Sequence, residues 1–538
     1  MPQLRFNITS VGTYQVPVIV GAVVGGCSAI NAMAFPRGQR DDYDRWEELG
    51  GGEGGENGWG WKGMWRYFLK ASRFKEPNPA LVKQFGIRYD KKYWGSENGT
   101  SVWASWANFQ WPATKILYEA WKEIPGIEYP DDNGQGESGP QWFPSSVDPA
   151  TITRSYSNTA HYQPHKSRTN YHLITEHKVS RINFATADGK KPKAESITFV
   201  SRETGERRTV FARKEVILAA GAVHSPQILQ RSGVGPRKLL EEAGIELVKE
   251  LPGVGMNFQD HTSLNLGYNF TTQPFPNLDA LATNATYQAE VDETWNKTRV
   301  GPYSAWGNTA SHALVSFPVI SPDNYQDLAN QIENQDPAAY FPPETHPTVI
   351  AGYKVHLRVL AKGMRSKNTG WIQIANAPSG NAALTNSHPL SRGTIMLNTS
   401  DPECEPVVDY RAMTNPLDIK IFVEMIRLMR RYILADGIIK QLSPVWYNPP
   451  LEMTTDEEIG DWAKRTDVLL PTVYHAIGTC SKMPLEWGGV VSEDLRVHGV
   501  EGLSVVDASI IPSLVGATTS QSVYAVAEKA ADLIKARG

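Results

Sequence analysis

Residues 16–38 read VPVIVGAVVGGCSAINAMAFPRG. An apolar run, Val16 to Val24 with Gly21 and Ala22 inside it, passes without a break into a glycine pair, small residues and Asn31. Such a stretch lets backbone N–H groups come close to an anionic group, because glycine and serine put little in the way. It therefore reads as a cofactor loop rather than as the apolar core of a signal peptide. The loop begins only some twenty residues into the chain. A strand, glycine-rich turn and helix that would hold the other end of a dinucleotide by its pyrophosphate has no counterpart ahead of it.

The rest of the composition sets bounds. A chain of 538 residues exceeds one small core, and two large lobes or three smaller ones are expected. The net charge of −4 gives neither nucleic acid nor an anionic membrane an electrostatic basis as a partner. No apolar run reaches the length of a membrane span. Three cysteines, Cys27, Cys404 and Cys480, form no disulfide framework and no zinc spacing, so no metal is expected. Six Asn-x-Ser/Thr sites, at Asn7, Asn98, Asn269, Asn284, Asn296 and Asn398, hint at a secretory route. The compartment stays unassigned.

Pattern and turn signals predict local structure. Helical spacing runs from Trp61 to Phe68. Residues 168–184 read as a strand, a turn and a second strand. A hairpin is expected to turn at Thr204-Gly205, followed by a buried strand from Glu215 to Ala219 and a helix starting at Ser225-Pro226. Residues 266–390 look irregular. An amphipathic helix is expected over 416–436, and Thr455 with Glu458 forms a capping box for a helix reaching Arg465. The C-terminus reads as a strand, GLSVVDASIIP, then a helix over 520–536. Trp103, Trp106, Trp111 and Trp121 fit an access channel or core packing equally well.

Four blocks carry a family resemblance: GAVVGGCSAINAMAFPRGQRDDYDRW, GAVHSPQILQRSGVGP at 221–236, LPGVGMNFQDH at 251–261, and YHAIGTCSKMP followed by GLSVVDASIIP and VYAVAEKAADLI. In this order the chain resembles the glucose–methanol–choline (GMC) flavoprotein oxidoreductases of fungal type. The resemblance implies an α/β flavin-binding lobe, Rossmann-like and truncated at its N-terminus, plus an α+β substrate lobe with an antiparallel sheet. Residues 1–75, 155–265 and 470–538 would form the first lobe, and 76–154 with 266–469 the second. It implies FAD as cofactor, with Gly25, Gly26, Ser28, Asn31, Val179, Ala220, Gly221, Asp507 and Ala508 beside it. FAD should be non-covalent, since Ile30 stands where some members attach flavin through histidine. It should also bind weakly without the glycine-rich unit. Ala22 stands where a Lys or Arg is usual, which removes a positive charge near the pyrophosphate.

The resemblance places His475 as the proton acceptor in oxidation of a small-molecule alcohol, and Thr518 at the partner position usually held by His or Asn. A histidine suits the O–H proton that must leave as hydride departs from carbon. Threonine can orient an oxygen but cannot take up a proton. His224 and His261 read as structural. Two alternatives stay open: a non-redox cyclase or dehydratase using His475 as acid/base, and an inactive truncated homologue.

Overall fold

The computed structural model describes residues 3–5, 15–52, 58–186, 189–305 and 310–538. The sequon at Asn7 lies outside them. Asn98, Asn269, Asn284 and Asn296 are exposed and Asn398 is half-buried. No helix among the described residues is long and apolar enough to cross a membrane.

Two apolar cores organise the chain. The larger lies around a seven-stranded antiparallel sheet ordered Pro444–Asn448, Thr262–Phe270, Ala382–Asn386, Gly370–Ala375, Ser311–Ser316 and Gly139–Trp142, with Leu469–Leu470 also paired to Thr262–Phe270. The helices Pro347–Arg365 and Leu417–Ile433 contribute Tyr353, Leu357, Leu360, Ile421, Phe422, Met425 and Met429 to the same core. Pro347 opens the first of these helices at a position where a missing N–H costs nothing, and Lys362 and Arg365 sit at its C-terminal end. The region expected to be irregular therefore carries much of this sheet and its helices. Its strands are short and separated by long connections, so their pairing is set by partners far away in sequence. Trp121 stacks on Tyr432 with ring centroids 3.8 Å apart, and both are buried. Trp111 is buried as well. These two tryptophans are core and not channel lining.

The second core draws on Tyr43, Trp46, Phe68, Ile182, Leu218, Leu229, Val254, Ile477, Val505, Leu514 and Val526. Its surrounding pieces match the sequence closely. Trp61–Lys70 is a helix. Lys193–Ser201 and Arg207–Phe211 form the hairpin, with Gly205 at φ 72° in its turn. Ser520–Lys535 is the terminal helix. In the larger core, the capping box at Thr455 and Glu458 is formed, although its helix stops at Ala463.

Three expectations are corrected here. Residues 168–184 hold one strand and not two: His177–Ala185 pairs with Lys193–Ser201, while Tyr171, Leu173 and Ile174 stay exposed with no strand beside them. The strand Val216–Leu218 is only partly buried, since Ile217 is 46 % exposed. It pairs in parallel with Leu503–Val505. The helix that follows starts at Gly221 and carries Pro226 inside it. Ser225 is not its cap: its hydroxyl accepts from the Ala220 N–H and donates to Asp507.

The helix Arg40–Leu49 carries a buried ion pair between two of its own residues. Asp42 Oδ1 lies 2.5 Å from Arg45 Nη2, and neither residue reaches solvent. Asp42 Oδ2 accepts from the N–H groups of Gln39 at 2.8 Å and Gly516 at 2.7 Å. Asp42→Ala should cost about 3–5 kcal/mol, because it strands a buried guanidinium and two N–H groups. Denaturant titration checks this; a midpoint equal to that of the unaltered chain would remove Asp42 from this role.

Candidate active site

The four sequence blocks converge through short-range hydrogen bonds. Gln259 and Ile477 exchange backbone bonds of 3.2 and 3.0 Å, which sets the Asp260-His261 pair beside the loop that carries His475. Backbone bonds from Cys480 to Ser509 and from Lys482 to Ile510, both 2.8 Å, lay that loop against residues 508–510. The Thr479 hydroxyl donates to the Ala222 carbonyl at 2.6 Å and brings in the helix Gly221–Arg231. Trp46 Nε1 donates to the Ser513 carbonyl at 2.8 Å, and Tyr43 hydrogen-bonds Ser522 at 2.9 Å. These bonds fix residues 513–522 to the first block.

Asp260 shapes the turn before His475. Its carboxylate accepts from the Thr472 hydroxyl at 2.6 Å, the Val473 N–H at 3.3 Å and the His475 N–H at 3.0 Å. Tyr474 adopts φ 66°, a left-handed conformation that non-glycine residues avoid unless their surroundings hold them there. Its ring is 54 % exposed beside His475. Burial pushes the Asp260 carboxyl up to about 7 despite its donors.

His475 Nδ1 and His261 Nδ1 are 2.9 Å apart, and His261 Nε2 is 3.0 Å from the Val515 carbonyl oxygen. A carbonyl can only accept, so His261 Nε2 carries the proton. A neutral imidazole has one N–H, so His261 Nδ1 is the acceptor in the histidine pair. His475 must then donate from Nδ1, which leaves the lone pair on its Nε2. Burial keeps His261 well below its ordinary range and His475 down at about 4. Both rings are neutral near pH 7. The site thus holds a histidine of fixed tautomer with Nε2 able to accept a proton. His261, read from the sequence as structural, is the group that positions it.

Thr518 is the other member of the expected pair. Its hydroxyl donates to the Ala34 carbonyl at 3.2 Å, so toward any other group it can only accept. Thr518 stands three residues after Val515 on the segment that anchors His261.

The expected cofactor residues fall into two groups. Gly25 and Gly26 have φ of 104° and 54° and open a single 3₁₀ turn, Gly26–Ala29. The Ser28 hydroxyl donates to the Gly25 carbonyl at 2.5 Å and bonds Ser157, which in turn bonds the Tyr524 hydroxyl at 3.0 Å. Asn31 Oδ1 accepts from Arg154 Nη1 at 2.6 Å, and Arg154 also donates to the Ser28 carbonyl. Arg154 thereby returns to this loop the positive charge that Ala22 does not supply. Its position 123 residues downstream hid it from a reading of the motif alone. In the second group, Ala220-Gly221 and Asp507-Ala508 follow the carboxyl ends of the two paired parallel strands, the place where open α/β sheets bind ligands. Asp507 accepts from the N–H groups of Gly221 at 3.0 Å and Ser509 at 2.7 Å and from Ser225, so its side chain braces both turns. Val179 packs with the second core from the strand His177–Ala185.

These residues fit a dinucleotide. A Cβ built on Gly26 or on Gly221 would meet nothing within 4 Å, so both backbones border open space. Ile19, Val23 and Ile30 present exposed apolar surface on the same loop. Among the described residues, no group of three His, Cys, Asp or Glu side chains could hold a metal ion.

Comparison with known proteins bears on this arrangement. Two family models, both described as GMC oxidoreductase, match residues 8–263 and 389–527. A dehydrogenase named xptC from Emericella nidulans is 34 % identical over 526 residues, covering 96 % of this chain and 81 % of that protein. An FAD-dependent oxidoreductase from Chaetomium thermophilum superposes with a TM-score of 0.93 at 35 % identity, over 100 % of this chain and 90 % of the other. A fungal aryl-alcohol oxidase gives the same TM-score and coverage at 33 % identity. The first model match starts at residue 8 and the structural likeness runs the whole length of the chain. The expectations of a missing N-terminal unit and of weak flavin binding gain no support from these matches, whereas FAD as the cofactor does. With the family models and the 34 % identical dehydrogenase in agreement, the chain belongs to the GMC oxidoreductase family.

Proposed function

We propose that this chain is an FAD-dependent dehydrogenase or oxidase of a CH–OH group on a small molecule, with His475 as the base. The observation that carries this reading is the fixed tautomer of His475, whose Nε2 is left free to accept a proton by the bond from its Nδ1 to His261. Flavin, when bound, supplies the acceptor for the hydride leaving the carbinol carbon. The protein's part is to take the hydroxyl proton at His475 Nε2 and to hold the substrate oxygen beside it. Thr518 Oγ1 can accept from a polar hydrogen of the substrate while its own proton points to the Ala34 carbonyl. Threonine is also shorter than the histidine or asparagine usual at this position, which suits a bulky substrate. The relatives support a metabolite of this kind: besides xptC they include a patulin synthase from Aspergillus clavatus at 28 % identity and a pyranose dehydrogenase from Leucoagaricus meleagris at 29 %. We assign the flavin to the lobe of residues 1–75, 155–265 and 470–538, and the substrate to the remainder. Gly25, Gly26, Ser28, Asn31 and Arg154 would hold the pyrophosphate side, the backbone of Val179 the adenine, and Ala220, Gly221, Asp507 and Ala508 the flavin side. Attachment is non-covalent in this reading, because Ile30 offers no nucleophile.

His475→Ala should lower kcat about 10²–10⁴-fold, the range for loss of a general base. A loss under about tenfold with the fold intact would reject the role. His261 acts through His475, so His261→Ala should reduce kcat while KM stays nearly constant. His261→Asn should recover part of the loss, since its amide can span the Val515 carbonyl and the His475 N–H. Equal activity in the two variants would leave His261 a packing residue only.

The acid limb of the pH profile has a fixed sign. His475 must be neutral to accept a proton, and burial holds it at about 4. kcat/KM should therefore be insensitive to the His475 proton above about pH 5 and fall as pH drops through about 4. An acid limb centred near 6.5, the value of a free histidine, would show that His475 is not held in the desolvated state described here. Thr518→Asn should raise turnover of small alcohols and worsen that of a bulky one. Unchanged ratios among alcohols of different size would place residue 518 away from the reacting centre.

A further inference from the structure

A second cavity lies on the far side of the His177–Ala185 strand from Val179. It measures about 190 Å³ and is lined by Lys178, Ser180, Val200, Ser201, Arg202, Arg207, Arg231 and Glu403. Strand alternation explains the separation. Val179 packs on the second core, while its neighbour Lys178 and that residue's partner Val200 take the opposite face; Ser180, the extra residue of a bulge between Val179 and Arg181, also lines the cavity. With a water's share of liquid volume at about 30 Å³, the space holds roughly six waters. It therefore has room for a tetrahedral oxyanion.

The charge of the lining is one-sided. Four cationic side chains face it against one carboxylate, Glu403, with Glu405 next to Lys178 at 3.4 Å. Arg231 is 7 % exposed. Its Nη2 bonds the Ser180 hydroxyl at 3.2 Å and the Glu403 carboxylate, but its buried Nη1 has no hydrogen-bond partner. Arg207 stands 4.0 Å from Glu403, at the limit of an ion pair. Arg202 makes no salt bridge among the described residues. A buried guanidinium with an unspent donor is costly to leave unsatisfied. The other cations lie within the same cavity, and planar guanidinium forks match phosphate oxygens.

We propose that this cavity is a binding site for a phosphate-type oxyanion borne by a small molecule, held by Arg202, Arg207, Arg231 and Lys178, with the Ser180 and Ser201 hydroxyls as further donors. Glu403 acts as the resident counter-charge that the ligand displaces from Arg231. The site is separate from the His475 centre and does not depend on the redox reading.

Titration calorimetry with inorganic phosphate on the full chain tests this at constant ionic strength. The expected result is saturable binding, weakened by about tenfold or more in the Arg202→Gln/Arg207→Gln double variant, which removes two charged donors on the surface and leaves the buried Arg231 in place. Glu403→Gln should bind phosphate more tightly than the unaltered chain, because it frees Arg231. If phosphate gives no more heat or thermal shift than matched chloride, or if the double variant binds it unchanged, the proposal is overturned. Co-sedimentation with phosphatidylcholine vesicles doped with phosphatidate separates the two sources of such a group. Pelleting lost in the double variant would assign the phosphate to a lipid headgroup and overturn the small-molecule part of the proposal. No pelleting alongside phosphate binding supports a soluble ligand.

Discussion

The buried carboxylate of Asp42 is the constraint on which the site rests. It sits in the helix Arg40–Leu49, yet one of its oxygens holds the N–H of Gly516, 474 residues away. That bond fixes the segment whose Val515 carbonyl accepts the hydrogen bond from His261 Nε2, and His261 in turn fixes His475. Gly516 has little freedom to be anything else, since an added Cβ would lie 2.2 Å from Gln39 Oε1. Burial raises the Asp42 carboxyl above its ordinary range, and Arg45 and the two N–H groups pull it back toward the charged form. A charge so buried is worth keeping only where it specifies an arrangement. Here the arrangement is the meeting of the first and last motif blocks.

Much of the flavin-type lobe could be read from the sequence because its signals are local. Gly25, Gly26, Gly205 and Gly221 mark turns that need positive φ, and each has it in the structure. The same holds for one local signal in the other lobe, where Thr455 and Glu458 announce a cap made between near neighbours. The substrate-type lobe hid its sheet for the opposite reason. Ser311–Ser316 pairs with Gly139–Trp142, 170 residues earlier, and Thr262–Phe270 pairs with Pro444–Asn448. No spacing rule within a window of the sequence reports such pairings.

The same distinction runs through the site. His475 was visible because its block is compact. The function of His261 was not, because it depends on a carbonyl 254 residues away. Arg154 was invisible for a like reason. A reading of the loop alone finds Ala22 and infers a lost charge, whereas the structure draws that charge from a two-residue strand outside any motif. Thr518 shows the limit of matching positions. Matching named it as a candidate, but the direction of its hydroxyl proton depends on Ala34.

The histidine pair is a closed end. If His475 takes the proton as proposed, its ring becomes cationic, and its Nδ1 proton can shift inward only as far as the lone pair on His261 Nδ1. His261 already spends its one N–H on the Val515 carbonyl, and an amide oxygen is no base. Along this chain of bonds the path ends at His261, so a proton taken up at His475 Nε2 would leave again from that same nitrogen.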